Sequence, residues 1–293
     1  MRQPLVLSTL LASMALLAEP ASAVRLFGTT ATIGPTTSDL VELDPTTGAL
    51  VGVIGPIGYR VVGLAWDDTT STLYGVTSIN DAIHPGGLLI IDPTTGAATE
   101  VGSGSGLPHV ATLAAATDGT LYGWSGGAGI GVPGDLVRWD KAVGTAVVLN
   151  NETIFFSMTY GLAFDLAGTL HFVNQGEFEI FAVNTSTGDV TSAGPLPNES
   201  HHGDVNPDDG LYYGIEGGAG VGSTRNLAVL DLSGPSLSQL IPTIDDLHVV
   251  EFLPDDLGGG GDMTIPTLGE WGLILMGILL ALGGVVVVRR GVA

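Results

Sequence analysis

The sequence predicts an all-β fold: a β-propeller of five four-stranded blades, closed by pairing of its N- and C-terminal strands and followed by one C-terminal transmembrane helix. Three observations predict it. Leu-aromatic pairs at Leu26-Phe27, Leu73-Tyr74, Leu121-Tyr122 and Leu211-Tyr212, with Leu170-His171 in register, are spaced 47, 48, 49 and 41 residues apart. Asp or Asn turns at Asp44, Asp92, Asp140, Asn184 and Asp231 are spaced 48, 48, 44 and 47. The segment His248–Asp255 parallels Arg60–Asp67 and supplies, from the far end, the strand that the first unit lacks. A period of about 40–50 residues marks a propeller or a solenoid, and short apolar strands without helical periodicity select the propeller.

Composition agrees with a turn-rich β protein: 45 Gly and 16 Pro in 293 residues. The absence of Cys excludes disulfides, thiolate catalysis and Cys-ligated metal. A formal charge of −22 with only 8 Lys and Arg argues against nucleic acid as a partner, because the chain repels phosphate backbones.

In chain order, residues 1–23 read as a secretion signal. Arg2 is the positive start, Leu5 to Leu17 the apolar stretch, and Ala21-Ser22-Ala23 the small-x-small site. Cleavage is expected between Ala23 and Val24. The propeller is expected over 24–254, a span of 231 residues or about 46 for each of five blades. Six blades stay open if the segment 150–160 hides a strand pair. The clearest unit runs Gly63–Asp68, Leu73–Val76, Leu88–Ile91, Asp92-Pro93-Thr94-Thr95-Gly96 and Ala98–Val101. In such turns Asp caps with its carboxylate, Pro presets φ and Gly supplies a positive φ.

Strand alternation puts both classes of short turn on one acidic, regular face. The opposite face receives the longer, dissimilar connections, and function concentrates on such loops over a rigid frame. A ligand face is therefore expected there, with Tyr59, His84, His109, Trp124, Gln175, Glu216 and Arg225 as contacts.

Motifs with chemical meaning are sparse. Gly123-Trp124-Ser125-Gly126-Gly127 matches the nucleophile-elbow pattern but leads into Gly-rich sequence that cannot start the required helix. Gly126–Gly131 and Gly217–Gly222 lack the phosphate-cradle spacing. Asp204–Gly210 approaches an oxygen-rich calcium loop, but Asp209 intrudes before the Gly, and Ile215 stands where the bidentate Glu belongs. No cofactor is expected, with structural calcium there as the alternative. Adjacent His201 and His202 diverge on an extended chain and make a poor metal pair. Glu42, Glu177, Glu179 and Glu216 are the available acids for glycoside chemistry. The positions equivalent to Glu42 read Ile90, Arg138, Ala182 and Val229, so no acid ring repeats at that level.

A flexible Gly-rich linker is expected over 255–264, with Gly258–Gly261 following Asp255-Asp256-Leu257. Then come Ile265-Pro266-Thr267-Leu268-Gly269-Glu270-Trp271-Gly272, an uncharged apolar run from Gly272 to Val288, and Arg289-Arg290. Seventeen helical residues span about 26 Å, enough for a bilayer core, with Trp271 at the outer interface and the Arg pair inside. The Ile-Pro-Thr-Leu-x-x-Trp-Gly block, the helix and the basic end resemble the IPTL-type C-terminal sorting signal of Gram-negative bacteria, a relative of the PEP-type signals handled by exosortases. The resemblance covers 265–293. It implies recognition by a membrane-embedded exosortase, processing near Ile265–Leu268, and export to the envelope or matrix, often beside exopolysaccharide production.

The expected protein is thus exported by the secretion machinery, held transiently in the inner membrane facing the periplasm, and then placed at the envelope, surface or matrix. Its expected task is non-catalytic binding of a glycan or matrix protein. The alternatives are a hydrolase or lyase acting on extracellular polysaccharide, which needs two carboxylates converging at the axis, and a purely structural coat protein.

Overall fold

The computed structural model describes residues 24–30, 37–107, 109–127, 132–149, 160–217 and 224–257. The expected signal peptide, Ala23, the sorting motif from Ile265 to Gly272, Arg289-Arg290 and the transmembrane helix lie outside these residues. Among the described residues no helix is long and apolar enough to cross a membrane.

The described residues form twenty strands in five sheets of four. The chain begins with β1 (Val24–Thr30), β2 (Asp39–Leu43) and β3 (Leu50–Pro56) of the first blade. The second blade follows as β4 (Val61–Asp67), β5 (Thr72–Thr77), β6 (Leu88–Ile91) and β7 (Ala98–Val101). The third is β8 (Val110–Ala115), β9 (Leu121–Gly127), β10 (Val132–Asp140) and β11 (Thr145–Val148). The fourth is β12 (Tyr160–Phe164), β13 (Leu170–Asn174), β14 (Glu179–Val183) and β15 (Val190–Pro195). The fifth is β16 (Ser200–Val205), β17 (Tyr212–Glu216), β18 (Arg225–Asp231) and β19 (Ser236–Thr243), after which β20 (Leu247–Pro254) returns to the first.

That return closes the ring. β20 pairs antiparallel with β1 from Val24↔Pro254 to Thr30↔Leu247, giving the first blade the order β20-β1-β2-β3. Two edges that would otherwise offer unpaired N–H and C=O groups consume each other. The inner strands touch in a closed cycle, β4 to β8 to β12 to β16 to β20 and back to β4. Because β8 and β12 are neighbours, no sixth blade stands between them.

The core explains why these strands read as nearly continuous apolar runs. Five buried clusters fill the five interfaces between successive blades, so middle strands bury both faces. Side-chain alternation decides the direction. Leu26 packs toward the fifth blade and Phe27 toward the second; Leu73 packs toward the first and Tyr74 toward the third.

The turn chemistry recurs as expected. Oδ1 of Asp44, Asp92, Asp140, Asn184 and Asp231 accepts the backbone N–H two residues on at 2.8, 2.8, 2.9, 2.9 and 2.8 Å. Each carboxylate or amide thereby holds the hairpin between the third and fourth strands of its blade.

Two registers differ from the sequence reading. Leu73 pairs with Trp66, and Tyr212 pairs with Val205 in the same place, so the fifth marker is Tyr212-Tyr213-Gly214 rather than Leu211-Tyr212. Tyr212 takes the fully buried position that the one-residue slip would have assigned to Leu211. In the closing strand, Phe252 pairs with Leu26 as Trp66 pairs with Leu73. Glu251 therefore corresponds to Ala65, two residues from the expected match with Gly63. A two-residue shift leaves the apolar alternation unchanged, which is why the pattern could not detect it.

Candidate functional site

All five inner strands run in the same direction along the axis, from the irregular-loop face to the short-turn face. At the short-turn mouth a cavity of about 410 Å³ collects residues from every blade, among them Trp66, Asp68, Ala114, Phe164, Asp204 and Glu251. One equivalent position recurs on the five inner strands, and in three of them, as Ala114, Asp204 and Glu251, it lines the cavity. Ala65 pairs with Tyr74, Ala114 with Tyr122, Ala163 with His171, Asp204 with Tyr213 and Glu251 with Phe27. The position is small and apolar in three blades and acidic in the last two.

The two acids do the same thing. Glu251 Oε1 accepts the backbone N–H of Trp66 on the second blade at 2.6 Å, and Asp204 Oδ2 accepts that of Phe252 on the first at 3.1 Å. These donors sit on the axial edges of inner strands, where no further strand can pair with them. Burial is the main cause that pushes Asp204 up to about 7, against the Phe252 and Val205 amides and with help from Asp68. Burial, then the nearby Asp204, pushes Glu251 well above the usual carboxylate range. At neutral pH the pair therefore holds at least one proton. Asp68 accepts the Trp66 indole N–H at 2.8 Å, which fixes that ring at the rim.

A second constellation surrounds the axis at the irregular-loop mouth. The rings of His201 and His202 lie 5.1 Å apart, and those of His202 and His248 4.9 Å apart. Burial, then neighbouring His248 and Arg225, holds His201 at about 3. Burial, with Arg225 and Arg60, holds His248 at about 4. His202 is lowered by burial and by His248, His201, His109 and Arg225. The imidazoles are accordingly neutral and the two guanidinium groups carry the charge. His202 adopts a φ of 40°, at a β-bulge that also brings adjacent His201 to the axis.

The sequence-predicted contacts divide into three groups. His109 and Arg225 join the axial histidines. Tyr59 and His84 meet at Glu100 instead, with the Tyr59 hydroxyl 3.1 Å from Oε1 and His84 Nδ1 3.8 Å from Oε2. Glu216 Oε2 accepts the Asn226 amide at 2.7 Å, and Gln175 lies in the β13–β14 turn. Trp124 is a core residue of β9, 1% exposed and stacked on Phe172 with centroids 4.1 Å apart, so it is not a loop contact.

The motif candidates resolve as structure. Ser125 lies within β9 and donates to the Asp135 carbonyl at 3.3 Å, with no elbow. In the 204–210 segment Asn206 Oδ1 accepts the Asp208 N–H at 2.9 Å, and Asp209 Oδ2 accepts the Tyr213 hydroxyl at 3.0 Å. Among the described residues no group of three or more His, Asp and Glu is arranged around a common metal position. Glu42 holds Arg25 with two contacts of 2.7 and 2.6 Å within the first blade. Glu177 is exposed in the β13–β14 turn.

Sequence reading missed Asp204 and Glu251 as an axial pair. The signal was present: the in-register position reads Ala, Ala, Ala, Asp, Glu once the fifth and closing strands are aligned correctly.

No curated protein matches the sequence. In structure the propeller is similar to a chain of a nidogen/laminin complex, at 12% identity and TM-score 0.49, covering 78% of this chain and 98% of that one. It is also similar to TolB from Acinetobacter baumannii, at 14% identity and TM-score 0.49, covering 76% of this chain and 54% of that one. Residues 264–290 match the IPTL-CTERM motif. The chain therefore joins a five-bladed β-propeller to a C-terminal sorting signal, which implies export to the cell envelope or surface.

Proposed function

We propose that this chain is a surface or matrix propeller that binds a ligand without transforming it, delivered by secretion and then handled by an exosortase acting near Ile265–Leu268. Its route passes through an inner-membrane-tethered form facing the periplasm, with Arg289 and Arg290 on the cytoplasmic side. The ligand, a glycan or a matrix protein, docks on the irregular-loop face. The observation that carries the binding assignment is the packing of His201, His202 and His248 at that mouth of the axis, with ring centroids 5.1 and 4.9 Å apart and His109 and Arg225 in electrostatic reach. Delivery rests on the motif match at 264–290.

Cell fractionation with intact-mass analysis tests delivery. A mature form beginning at Val24 and lacking the tail is expected in the envelope or medium; an unprocessed cytoplasmic form overturns it. A glycan and matrix-protein binding array tests the ligand face.

A second reading, a hydrolase or lyase acting on extracellular polysaccharide, rests on the Asp204–Glu251 pair at the short-turn cavity. It requires turnover of a polysaccharide that both Asp204→Asn and Glu251→Gln abolish.

A further inference from the structure

The whole chain carries 8 Lys and Arg against 30 acids, and 6 His. Four of those six histidines and two of the arginines come within electrostatic reach of one another at one mouth of the axis, where the His201–His202 and His202–His248 ring centroids lie 5.1 and 4.9 Å apart. The gathering is tertiary: Arg60 precedes β4, His109 precedes β8, His201 and His202 lie in β16, Arg225 opens β18 and His248 lies in β20. His201, His202 and Arg225 form a floor, 4%, 3% and 4% exposed. Arg60, His109 and His248 are half-buried above them.

These groups are short of partners. Arg60 Nε, His109 Nδ1, His201 Nδ1, His202 Nδ1 and Arg225 Nε are buried with no hydrogen-bond partner among the described residues. Arg225 spends one Nη1 contact, 2.7 Å long, on the Gly217 carbonyl. Asp81, the buried carboxylate beside Arg60, is already engaged: Oδ2 accepts the Arg60 backbone N–H at 2.6 Å, and Oδ1 accepts those of Ile83 and His84 at 2.9 and 2.8 Å. Neither Arg60 nor Arg225 forms an ion pair among the described residues. The two Arg Nε atoms are donors in every protonation state, and buried donors in native proteins are satisfied, so the unpaired pair marks the place of a missing acceptor.

We propose that this mouth is a binding site for a single oxyanion group, a sulfate, phosphate or sugar carboxylate, held by Arg60 and Arg225 with N–H donors from the axial histidines. The inference rests on reading the irregular-loop face as the ligand face and names the ligand's chemistry. A guanidinium takes an oxyanion in two parallel hydrogen bonds, and neutral imidazoles add donors without adding like charge. The surrounding chain, at −22, repels a polyanion over longer range. The site therefore favours one isolated anionic group on an otherwise neutral ligand.

The test is calorimetric titration of the full-length chain in detergent, in chloride-free buffer, with sodium sulfate, phosphate, glucuronate and polygalacturonate. Saturable binding of at least one of the first three is expected, with polygalacturonate no tighter per site. Glucuronate binding more tightly than sulfate and phosphate identifies a sugar carboxylate as the source; the reverse identifies a free ion. Arg60→Gln, at a half-exposed position, is expected to weaken binding about tenfold, the loss of one charged hydrogen bond. Exposed Arg138→Gln serves as control and is expected to bind as the parent does. Equal affinity in Arg60→Gln and the parent, tighter polymer binding, or no binding of any probe overturns the inference. Array binding that excess sulfate, phosphate or glucuronate fails to compete away would overturn it while leaving the broader ligand-face reading intact.

Discussion

Glu251 accepts the backbone N–H of Trp66 at 2.6 Å and so ties the strand that closes the ring to the blade ahead of it. Asp204 ties the blade behind to the same strand through Phe252 at 3.1 Å. The closing strand β20 is thus clasped from both sides at the axis, beyond its pairing with β1. This matters because no disulfide can lock the ring. Removing the acceptor should expose that dependence. Glu251→Ala leaves a buried N–H unpaired and is expected to cost about 1–3 kcal/mol in denaturant unfolding. Glu251→Gln keeps an acceptor and is expected to be at least as stable as the parent at pH 7, since burial already disfavours the charged form there.

The same carboxyls set a pH slope. Asp204, raised to about 7, keeps its proton in the fold between about pH 4 and 7 while the unfolded chain releases it, so stability falls as pH rises through that window. The histidines act oppositely. His201 and His248, held at about 3 and 4, stay neutral while the unfolded chain takes up protons, so their contribution is present above pH 6.5 and lost as pH falls below it. Asp204→Asn is expected to match the parent near pH 4 and exceed it by on the order of 2 kcal/mol at pH 8. Unfolding curves across pH 4–8 check this; an advantage that shrinks with rising pH would contradict it.

Neighbouring blades are also clamped at the short turns. Lys141 of the third blade donates to Asp67 Oδ2 of the second at 2.6 Å, and the same ammonium reaches the Gly119 carbonyl. Burial would raise Asp67, but Lys141 and the Thr69 and Thr70 hydroxyls prevail and hold it at about 2. Its contribution is present above pH 4 and lost as pH falls toward 2. Lys141→Met leaves the fully buried carboxylate without its counter-ion and is expected to cost about 1–3 kcal/mol at pH 7, with the difference vanishing near pH 2. Thermal unfolding at both pH values is the measurement.

Turn glycines separate local from interblade effects. Gly144 has φ 70°, and a Cβ added there would stand 1.8 Å from the Val101 carbonyl oxygen of the preceding blade. Gly168 has φ 82° and nothing within 4 Å of an added Cβ. Gly168→Ala is expected to cost about 1 kcal/mol for the backbone alone, and Gly144→Ala at least about 2 kcal/mol, because backbone must move as well. Melting temperatures of the pair decide whether the blade contact matters beyond the turn.

How much was legible follows from where each interaction lies along the chain. The Asp caps at Asp44, Asp92 and their equivalents act over two residues, so they were readable. The blade count followed from the spacing of those caps, and the closure by β20 followed from the missing strand of the first unit. The equivalence of Glu42 with Ile90, Arg138, Ala182 and Val229 also holds in the strand registers. Trp124 illustrates the limit: a Trp at a strand end reads equally as rim or core, and only its stacking on Phe172 of the next blade decides.

The sequence by itself determined the all-β propeller, its turns and its closure, because period-two strands and Asx turns are local patterns repeated often enough to be recognised. Only the tertiary structure decided the two axial sites. Asp204 and Glu251 lie 47 residues apart, and Arg60 and Arg225 lie 165 apart; nothing along the chain couples them. Their meeting depends on the exact register with which each inner strand faces the axis. A slip of two residues in that register leaves every apolar face buried as before, so hydrophobic patterning is blind to which polar groups the ring brings together.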